Sequence, residues 1–282
     1  MFFLISLAML STDAHIRETE EWRRQYEARL RADDGWLTVA GLYWLKEGAN
    51  TFGADPRSDI VLPQDAAPDR AGTFEFHSGK VTFRAAPNSG VRHKGKPVTI
   101  LEMRSDTPGP ADEITMNGLT LFVIRREDRY AIRLRDKNST MRRSFSGLKW
   151  YPVQTEFRVE GRWTPYDPPK TLSIPNIVGI AEKMKCPGRA AFTLDGQELT
   201  LEPVMSGNRL FFIFRDKTAG KTTYGAGRFL YADLPKNGKV TLDFNRAYSP
   251  PCAWTPYATC PLPPKQNYLD AAVEAGELSQ GH

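Results

Sequence analysis

A proline-dense run close to the end of the chain limits the possible folds most strongly. Residues 250–264 mix prolines with aromatic residues and two cysteines; the prolines are Pro250, Pro251, Pro256, Pro261, Pro263 and Pro264. Because proline fixes φ and lacks a backbone N–H, this run can form neither a helix nor a central strand. Trp254, Tyr257 and Leu262 favour burial, unlike the residues of a flexible linker. We predict that residues 250–264, called the proline segment below, form a rigid, extended stretch packed against the body of the protein.

The size and charge of the chain set broad limits on its function. With 282 residues it can form one large domain or two small ones, and its core needs neither metal nor disulfide. A net charge of +5 is too small to indicate a nucleic-acid partner. No apolar run approaches the roughly 20 residues of a membrane-spanning helix. We therefore expect a globular chain without a transmembrane span.

The first fourteen residues resemble a secretory signal. An apolar run at 2–10 is followed by small and polar residues that end at Ala14, although no Lys or Arg precedes the run. We expect a mature chain that starts after Ala14 and is exported to the periplasm or the exterior of a bacterial cell. A truncated start, or a short buried segment in a cytoplasmic protein, is the alternative.

The cysteines are consistent with an oxidising compartment. Cys252 and Cys260 are close enough in sequence to form a disulfide there, which leaves Cys186 free. The four histidines are scattered along the chain, so neither a zinc site nor a histidine-based triad is indicated. We expect no metal and no cofactor.

Hydrophobic periodicity predicts a mainly β protein. Trp22, Tyr26 and Leu30 form one stripe of an N-terminal helix over residues 18–31. From Trp36 onward the period is close to two, and turn residues such as Asn117-Gly118 separate many short strands. Strands without alternating helices favour an antiparallel β-sandwich or a barrel-like body.

The sequence also predicts the structure of the C-terminal residues and the number of domains. Asn267 is a suitable N-cap and predicts a short C-terminal helix that continues to about residue 278. No stretch between 34 and 269 has the composition of a linker. We predict a single β-rich domain over 15–282. An alternative is that this domain consists of two sub-lobes that meet near 107–112.

One strand carries a concentration of arginines. Tyr130, Ile132 and Leu134 alternate along it, so they point to one face. The opposite face carries Arg129, Arg133 and Arg135. This face is either an ordinary solvated surface or a surface that binds anions.

Polar residues collect around the proline segment and the two strands before it. Runs at 227–232 and 240–244, joined by a turn at 235–238, predict a hairpin. The candidate ligand-binding residues of this region are Tyr224, Arg228, Asp243, Asn245 and Tyr248. We predict that Arg228 and Asp243 meet across the hairpin as an ion pair. The pair is either internal scaffold, with Asn245 bonded to the proline segment, or part of a cleft in which Arg228 binds an anion and Asp243 acts as a base.

Two resemblances to known families are carried by short motifs. GLYWLKEGANTFG, YGAGRFLYADLP and LDFNRAYSPPCAWTPYATCPLPP resemble a bacterial and archaeal family of unknown function over roughly residues 36–276. Similar proteins tend to carry Asn where Ser249 stands here. ADPRSDIVLP, at 54–63, is similar to the opening of forkhead-associated domains, with Ala54 at the place of their phosphate-binding arginine. That second resemblance implies a sandwich-like strand pair and argues against phosphothreonine binding.

Two classes of function follow from these observations. The first is an exported protein that binds a small molecule, an anion among the candidates, or a partner in the cell envelope, without chemistry. The second is an enzyme of hydrolase type that uses the region of Arg228, Asp243 and Asn245. The two differ in whether these polar groups line an open cleft or are bonded internally.

Overall fold

The computed structural model describes residues 2–280, and its first element is a long helix. This helix, α1, spans Phe2–Arg31 and confirms the helix predicted at 18–31. His15, Thr19, Arg23 and Tyr26 are buried and recur every three or four residues, as expected for the face of a helix that packs against a protein body. Ala14 lies inside α1, whereas Met1 lies outside the described residues. Within the described part of the chain, no helix combines the length and the apolar character needed to cross a membrane.

The chain divides into two compact units. Unit 1 contains Met1–Arg29, Ser146–Ala253 and Thr259–His282, and unit 2 contains Leu30–Phe145 and Trp254–Ala258. Residues 107–112, where the sequence suggests that two sub-lobes meet, lie inside unit 2. The chain passes from one unit to the other after Arg29, after Phe145 and at both ends of Trp254–Ala258.

Unit 2 is built from two sheets. Its strands are β1 (Val39–Trp44), β2 (Gly48–Gly53), β3 (Ile60–Val61), β4 (Gly72–His77), β5 (Lys80–Ala85), β6 (Arg92–His93), β7 (Lys96–Pro97), β8 (Ile100–Met103), β9 (Glu113–Met116), β10 (Leu119–Arg126) and β11 (Arg129–Asp136). One sheet has the strand order β1-β11-β10-β9-β6-β7, and the other has the order β3-β2-β4-β5-β8. The short helix α2 (Thr140–Ser144) follows, and the side chain of Ser139 caps its first turn.

The core of unit 2 lies between these two sheets. Phe52, Phe74 and Phe83 come from one sheet, and Leu121 and Ile132 come from the other. Ile132 and Leu134 of β11 lie in this core and Tyr130 packs against it, which confirms the predicted apolar face of the strand. The predicted turn at Asn117-Gly118 joins β9 to β10 with φ of 43° and 86°, as a two-residue hairpin loop requires.

Unit 1 is a second pair of sheets. Its strands are β12 (Arg158–Pro175), β13 (Ala181–Leu194), β14 (Gln197–Leu201), β15 (Val204–Ser206), β16 (Arg209–Phe214), β17 (Arg228–Ala232) and β18 (Lys239–Asp243). The sheets have the orders β14-β13-β12-β18 and β15-β16-β17. Phe192 and Leu201 of the first sheet share a core with Phe212 and Leu230 of the second. The prediction of a mainly β, sandwich-like fold is confirmed, and none of the sheets in residues 2–280 closes into a barrel.

The predicted hairpin of β17 and β18 is wrong. β17 pairs with β16, whereas β18 pairs with β12 at the edge of the other sheet. The turn before β18 carries the chain from one sheet to the other. Leu230 of β17 and Leu242 of β18 then reach the same core from its two sides, which buries both completely. Apolar burial, rather than proximity in sequence, decides the partner of each strand.

The predicted C-terminal helix is also wrong. A short 3-10 turn at Lys265–Asn267 is followed by an irregular extended stretch. Leu269, Ala271, Val273 and Ala275 are buried there, and the residues between them are exposed up to residue 274. This period of two is that of an extended chain lying along the core of unit 1, to which these four residues belong. Asn267 caps no helix, because its side chain is used by the backbone of Glu202 and Ile213.

Candidate functional site

Arg228 is the most completely buried charged residue of the predicted site. Its guanidinium donates hydrogen bonds to the carboxylate of Asp216 and to the carbonyl oxygens of Val273 and Ala275. Arg228 and Asp216 both have side chains that are 1% exposed. Burial lowers the pKa of Arg228, and the charge of Asp216 opposes this shift. Arg228 therefore holds the extended C-terminal stretch to β17, as internal scaffold.

The predicted ion pair of Arg228 with Asp243 does not form. The reason is the separation of β17 and β18 into different sheets, which gives Arg228 a partner on the loop after β16. Sequence analysis missed Asp216 as this partner, although a signal was present. Arg215-Asp216-Lys217 after β16 repeats Arg135-Asp136-Lys137 at the end of β11. In both places the aspartate accepts a hydrogen bond from the backbone N–H two residues later.

Asp243 belongs to a separate polar cluster of unit 1. Its Oδ2 is 2.9 Å from His15 Nε2 of α1 and 3.4 Å from Arg246 Nε. His15 Nδ1 is buried without a hydrogen-bond partner among residues 2–280. The backbone N–H and side-chain amide of Asn245 both donate to Asp243 Oδ1. The structure thus brings Asp243 and Asn245 together, as predicted, but away from Arg228.

Asn245 is bonded internally on all sides. Its side chain exchanges hydrogen bonds with the backbone N–H and carbonyl of Gln154. Its own carbonyl accepts from Arg23 Nη2 at 3.0 Å, while Arg23 Nη1 donates to the carbonyl of Tyr151 at 3.0 Å. Burial lowers the pKa of Arg23 to about 10. These bonds attach α1 to the chain around β18 and leave Asn245 without a free group for a ligand.

Tyr248 lies in an aromatic cluster. Its ring is 4.8 Å from the ring of Tyr26 and 5.8 Å from that of Phe229. Trp22 stacks on Tyr26, and Trp150 meets Tyr26 edge-on. Burial raises the pKa of Tyr248 well above its usual value, so its phenol stays neutral. Tyr224, the remaining predicted residue of this region, is half-buried, and burial raises its pKa as well.

Glu277 is a buried acid that sequence analysis did not identify. Its Oε2 accepts the backbone N–H of Ser249 at 3.0 Å, and its Oε1 is buried without a hydrogen-bond partner in the described chain. Burial raises the pKa of Glu277 to about 8. Its carboxyl is therefore predominantly protonated at neutral pH.

Two glycines allow the close backbone packing next to Arg228 and Glu277. Gly227, before Arg228, has φ of 106°, and a Cβ there would be 2.5 Å from the carbonyl oxygen of Phe214. Gly276, before Glu277, has φ of 83°, and a Cβ there would be 2.5 Å from the carbonyl oxygen of Ala247. Any side chain at either position would displace the backbone next to the buried Arg228 or Glu277.

Cys252 and Cys260 form a disulfide in the structure, with Cα atoms 6.2 Å apart. That separation lies in the normal range for a disulfide. Cys186 is free and buried, and burial raises the pKa of its thiol to about 11, which makes it unreactive. Within residues 2–280, no three His, Cys, Asp or Glu side chains are arranged to hold a metal ion.

The outer arginines of β11 are engaged by neighbouring side chains. Arg129 lies over the ring of Trp44 at 3.9 Å. Arg135 lies over the ring of Phe122 and donates to Glu113 at 3.1 Å. These two side chains have the contacts of an ordinary solvated face.

The central arginine of β11 also lies over an aromatic ring, that of Trp36, but it is more deeply buried than the other two. Arg133 is 4% exposed, and its Nε is buried without a hydrogen-bond partner. Its one hydrogen bond is a long contact of 3.4 Å from Nη2 to the carbonyl oxygen of Tyr257. It forms no ion pair with any carboxylate of residues 2–280. Burial and the nearby charge of Arg126 lower its pKa to about 10, so it remains charged at neutral pH.

Comparisons with known proteins give the following matches. An uncharacterized protein of Haloarcula marismortui, solved by NMR in solution, is 33% identical, with coverage of 50% of this chain and 81% of that chain and a TM-score of 0.43. A forkhead-associated domain with phosphothreonine-dependent interactions is 17% identical and has a TM-score of 0.24, over 33% of this chain and 92% of its own. The FhaA forkhead-associated domain, in complex with the intracellular domain of Rv3910, gives the same identity and TM-score over 97% of its length. TM-scores at this level support no structural equivalence. A search of curated proteins gives no match.

The family assignment rests on the chain after α2. The model of a family described as protein of unknown function, DUF1684, matches residues 143–278, which contain all the strands of unit 1. This match agrees with the resemblance that the sequence motifs indicate. Over residues 143–278, this chain is therefore similar to the DUF1684 family.

Proposed function

We propose that this protein is a binding protein for a small anion, and that the anion binds Arg133 in unit 2. The observation that carries the proposal is the burial of the Arg133 guanidinium without a carboxylate partner. An uncompensated buried charge costs several kcal/mol of folding free energy, and a bound anion would offset that cost.

The surroundings of Arg133 support a site for an anion rather than a cation. Arg126 and Arg135 lie close enough to lower the pKa of Arg133 by charge repulsion. The charge of Asp106 raises the pKa of Arg133, but the carboxylate of Asp106 is bonded to Arg126 at 2.9 Å. The local potential at Arg133 is therefore positive, which attracts anions.

The polar groups of unit 1 favour binding over the hydrolase alternative. Arg228 is used by Asp216 and two carbonyl oxygens, and Asn245 is used by Gln154 and Asp243. Neither residue has the free groups that an anion clamp or an orienting amide needs. We place the binding function in an exported protein, because the N-terminal run to Ala14 resembles a signal and the Cys252–Cys260 disulfide suits an oxidising compartment.

The proposal is tested by titrating the purified protein with small anions in a buffer that contains no other small anion. Chloride, formate, acetate, sulfate and inorganic phosphate are the probes, and calorimetry and the melting temperature are the readouts. We expect saturable binding of at least one probe to the wild type and none to Arg133→Gln.

The matched control is Arg129→Gln, on the same face of the same strand. Arg129 is exposed, so this variant loses one positive charge but should retain the binding. Equal titration curves for the wild type and Arg133→Gln would contradict the proposal. A response that grows with every salt without saturating would contradict it as well.

A further inference from the structure

We infer that the ligand at Arg133 is a small aliphatic monocarboxylate. This inference rests on the proposed function, because it names the class of anion that the same site selects. It follows from three features around Arg133: the count of charges, the geometry of the free guanidinium edge, and the apolar side chains beside it.

The charge count leaves room for a single negative charge. Arg126 is paired with Asp106 at 2.9 Å, and Arg135 is paired with Glu113 at 3.1 Å. Arg133 is the remaining cation of this group, without a carboxylate of its own. One negative charge neutralises it, whereas a dianion would leave an excess charge in a site of low polarity. This count favours a monovalent anion over divalent phosphate or sulfate.

The guanidinium edge fits a carboxylate. Arg133 Nε is free of any protein acceptor in residues 2–280, and Nη2 makes only the 3.4 Å contact with the carbonyl of Tyr257. Nε and an Nη nitrogen together form the planar fork that binds both oxygens of a carboxylate. A spherical halide can use only one point of this fork at full strength. The ligand would replace the long contact to Tyr257, a residue whose own side chain is 38% exposed.

The side chains beside Arg133 are apolar. Arg133 is directly opposite Leu42 on β1 and Phe122 on β10, so all three point to the same face of the sheet. The ring of Trp36 lies 5.2 Å from the guanidinium carbon. A short hydrocarbon tail of a ligand bound to Arg133 would contact Leu42 or Trp36, since the ring of Phe122 is covered by Arg135, and a mineral anion gains nothing from such a contact.

The test is calorimetric titration of the full chain with sodium formate, acetate, propionate and butyrate, and separately with inorganic phosphate, sulfate and chloride. We expect acetate or propionate to bind about tenfold or more tightly than phosphate, equivalent to about 1.4 kcal/mol. We also expect affinity to rise from formate to propionate, because each added methylene buries apolar surface.

A substitution that changes the charge near Arg133 tests the preference for monovalent anions directly. Asp106→Asn removes a negative charge that contacts Arg126 at 2.9 Å and so makes the net charge near Arg133 more positive by one. We expect this variant to gain about tenfold in affinity for phosphate, while its affinity for propionate changes less. Asp128→Asn is the matched control, since Asp128 is an exposed acid in the turn between β10 and β11. It should leave both affinities unchanged.

The outcomes separate the inference from the function on which it rests. If no probe binds the wild type saturably, the proposed anion-binding function is wrong. If phosphate, sulfate or chloride binds Arg133 as tightly as the monocarboxylates do, the function stands and the inference is overturned. Monocarboxylate binding that survives Arg133→Gln would place the ligand elsewhere and overturn both.

Discussion

The two units each bury an arginine, and they treat its charge in opposite ways. In unit 1, Arg228 meets a carboxylate and two carbonyl oxygens, and it ties the C-terminal stretch to β17. In unit 2, Arg133 has one long hydrogen bond to a carbonyl oxygen and no carboxylate partner in the part of the chain that the structure describes. The exposure of the two residues is nearly the same, at 1% and 4%.

This difference separates an arginine whose countercharge comes from the protein from an arginine that has no countercharge among residues 2–280. Burial alone marks both residues as unusual, and it lowers the pKa of both. The distinguishing property is whether the protein itself supplies the countercharge. A search for binding sites in such folds should therefore begin with buried charges that lack a partner.

The largest expected effect tests the contrast directly. Asp216→Asn leaves Arg228 buried without its countercharge, and we expect a loss of about 3–5 kcal/mol in the free energy of unfolding. Arg133→Met, which removes a charge that has no countercharge, should leave the stability unchanged or raise it by about 1 kcal/mol or more when no anion is present. Denaturant unfolding of both variants, in the same anion-free buffer, gives the comparison.

The control for Asp216→Asn is Asp270→Asn. Asp270 pairs with Lys217 at the surface, with both side chains more than half exposed, so its loss should cost less than about 1 kcal/mol. If Arg133→Met destabilises the protein as much as Asp216→Asn does, the two units do not differ in how they treat a buried arginine.

A second prediction uses the buried acid of unit 1. The pKa of Glu277 is about 8 in the folded protein, against 4.5 for a free glutamate. Between these values the folded state binds one proton more than the unfolded state, so the free energy of unfolding falls with rising pH by about 1.4 kcal/mol per pH unit. This contribution is complete below pH 4.5 and is lost as the pH rises through about 8. Glu277→Gln should lack this slope.

Unfolding in urea at a series of pH values measures this pH dependence of the free energy of unfolding. Glu274→Gln, an exposed glutamate three residues earlier, should keep the slope of the wild type. Identical slopes in wild type and Glu277→Gln would mean that Glu277 titrates in the folded protein as it does in water.

The smallest effect concerns the disulfide. We expect the Cys252–Cys260 bond to contribute about 2–3 kcal/mol in the chain-entropy model, because it closes a short loop. Protein isolated from its native host, denatured without reductant, should show a single reactive thiol, that of Cys186. The intact mass of the same sample reports whether the mature chain starts after Ala14. Three reactive thiols, or a mass that includes Met1, would contradict the disulfide or the export, respectively.

Local sequence patterns predicted the parts of the fold that depend on neighbours in the chain. The stripe of α1, the Asn117-Gly118 hairpin and the two faces of β11 each follow from spacing and turn chemistry, and each is found in the structure. The disposition of Asp243 beside Asn245 belongs to the same class, because the two residues are only two positions apart.

The features that sequence analysis missed depend on which sheet a strand joins. Arg228 and Asp243 lie near each other in sequence, but the crossing between sheets gives Arg228 a partner from another loop. Glu277 gave no signal, since only burial by the folded chain makes it unusual. The predicted C-terminal helix was wrong for a different reason. Ala271 and Ala275 have high helix propensity, but their packing in the core of unit 1 overrides that preference.

The division of the chain between the two units affects how the protein is made on the ribosome. Residues of α1 find partners that are translated much later: Arg23 bonds to Tyr151, 128 positions onward, and to Asn245, 222 positions onward. Unit 2 is in turn incomplete until Trp254–Ala258 has been translated. Neither unit can complete its set of contacts until its late-translated residues have left the ribosome. Both units therefore lack some of their contacts until residues 245–258 have been translated.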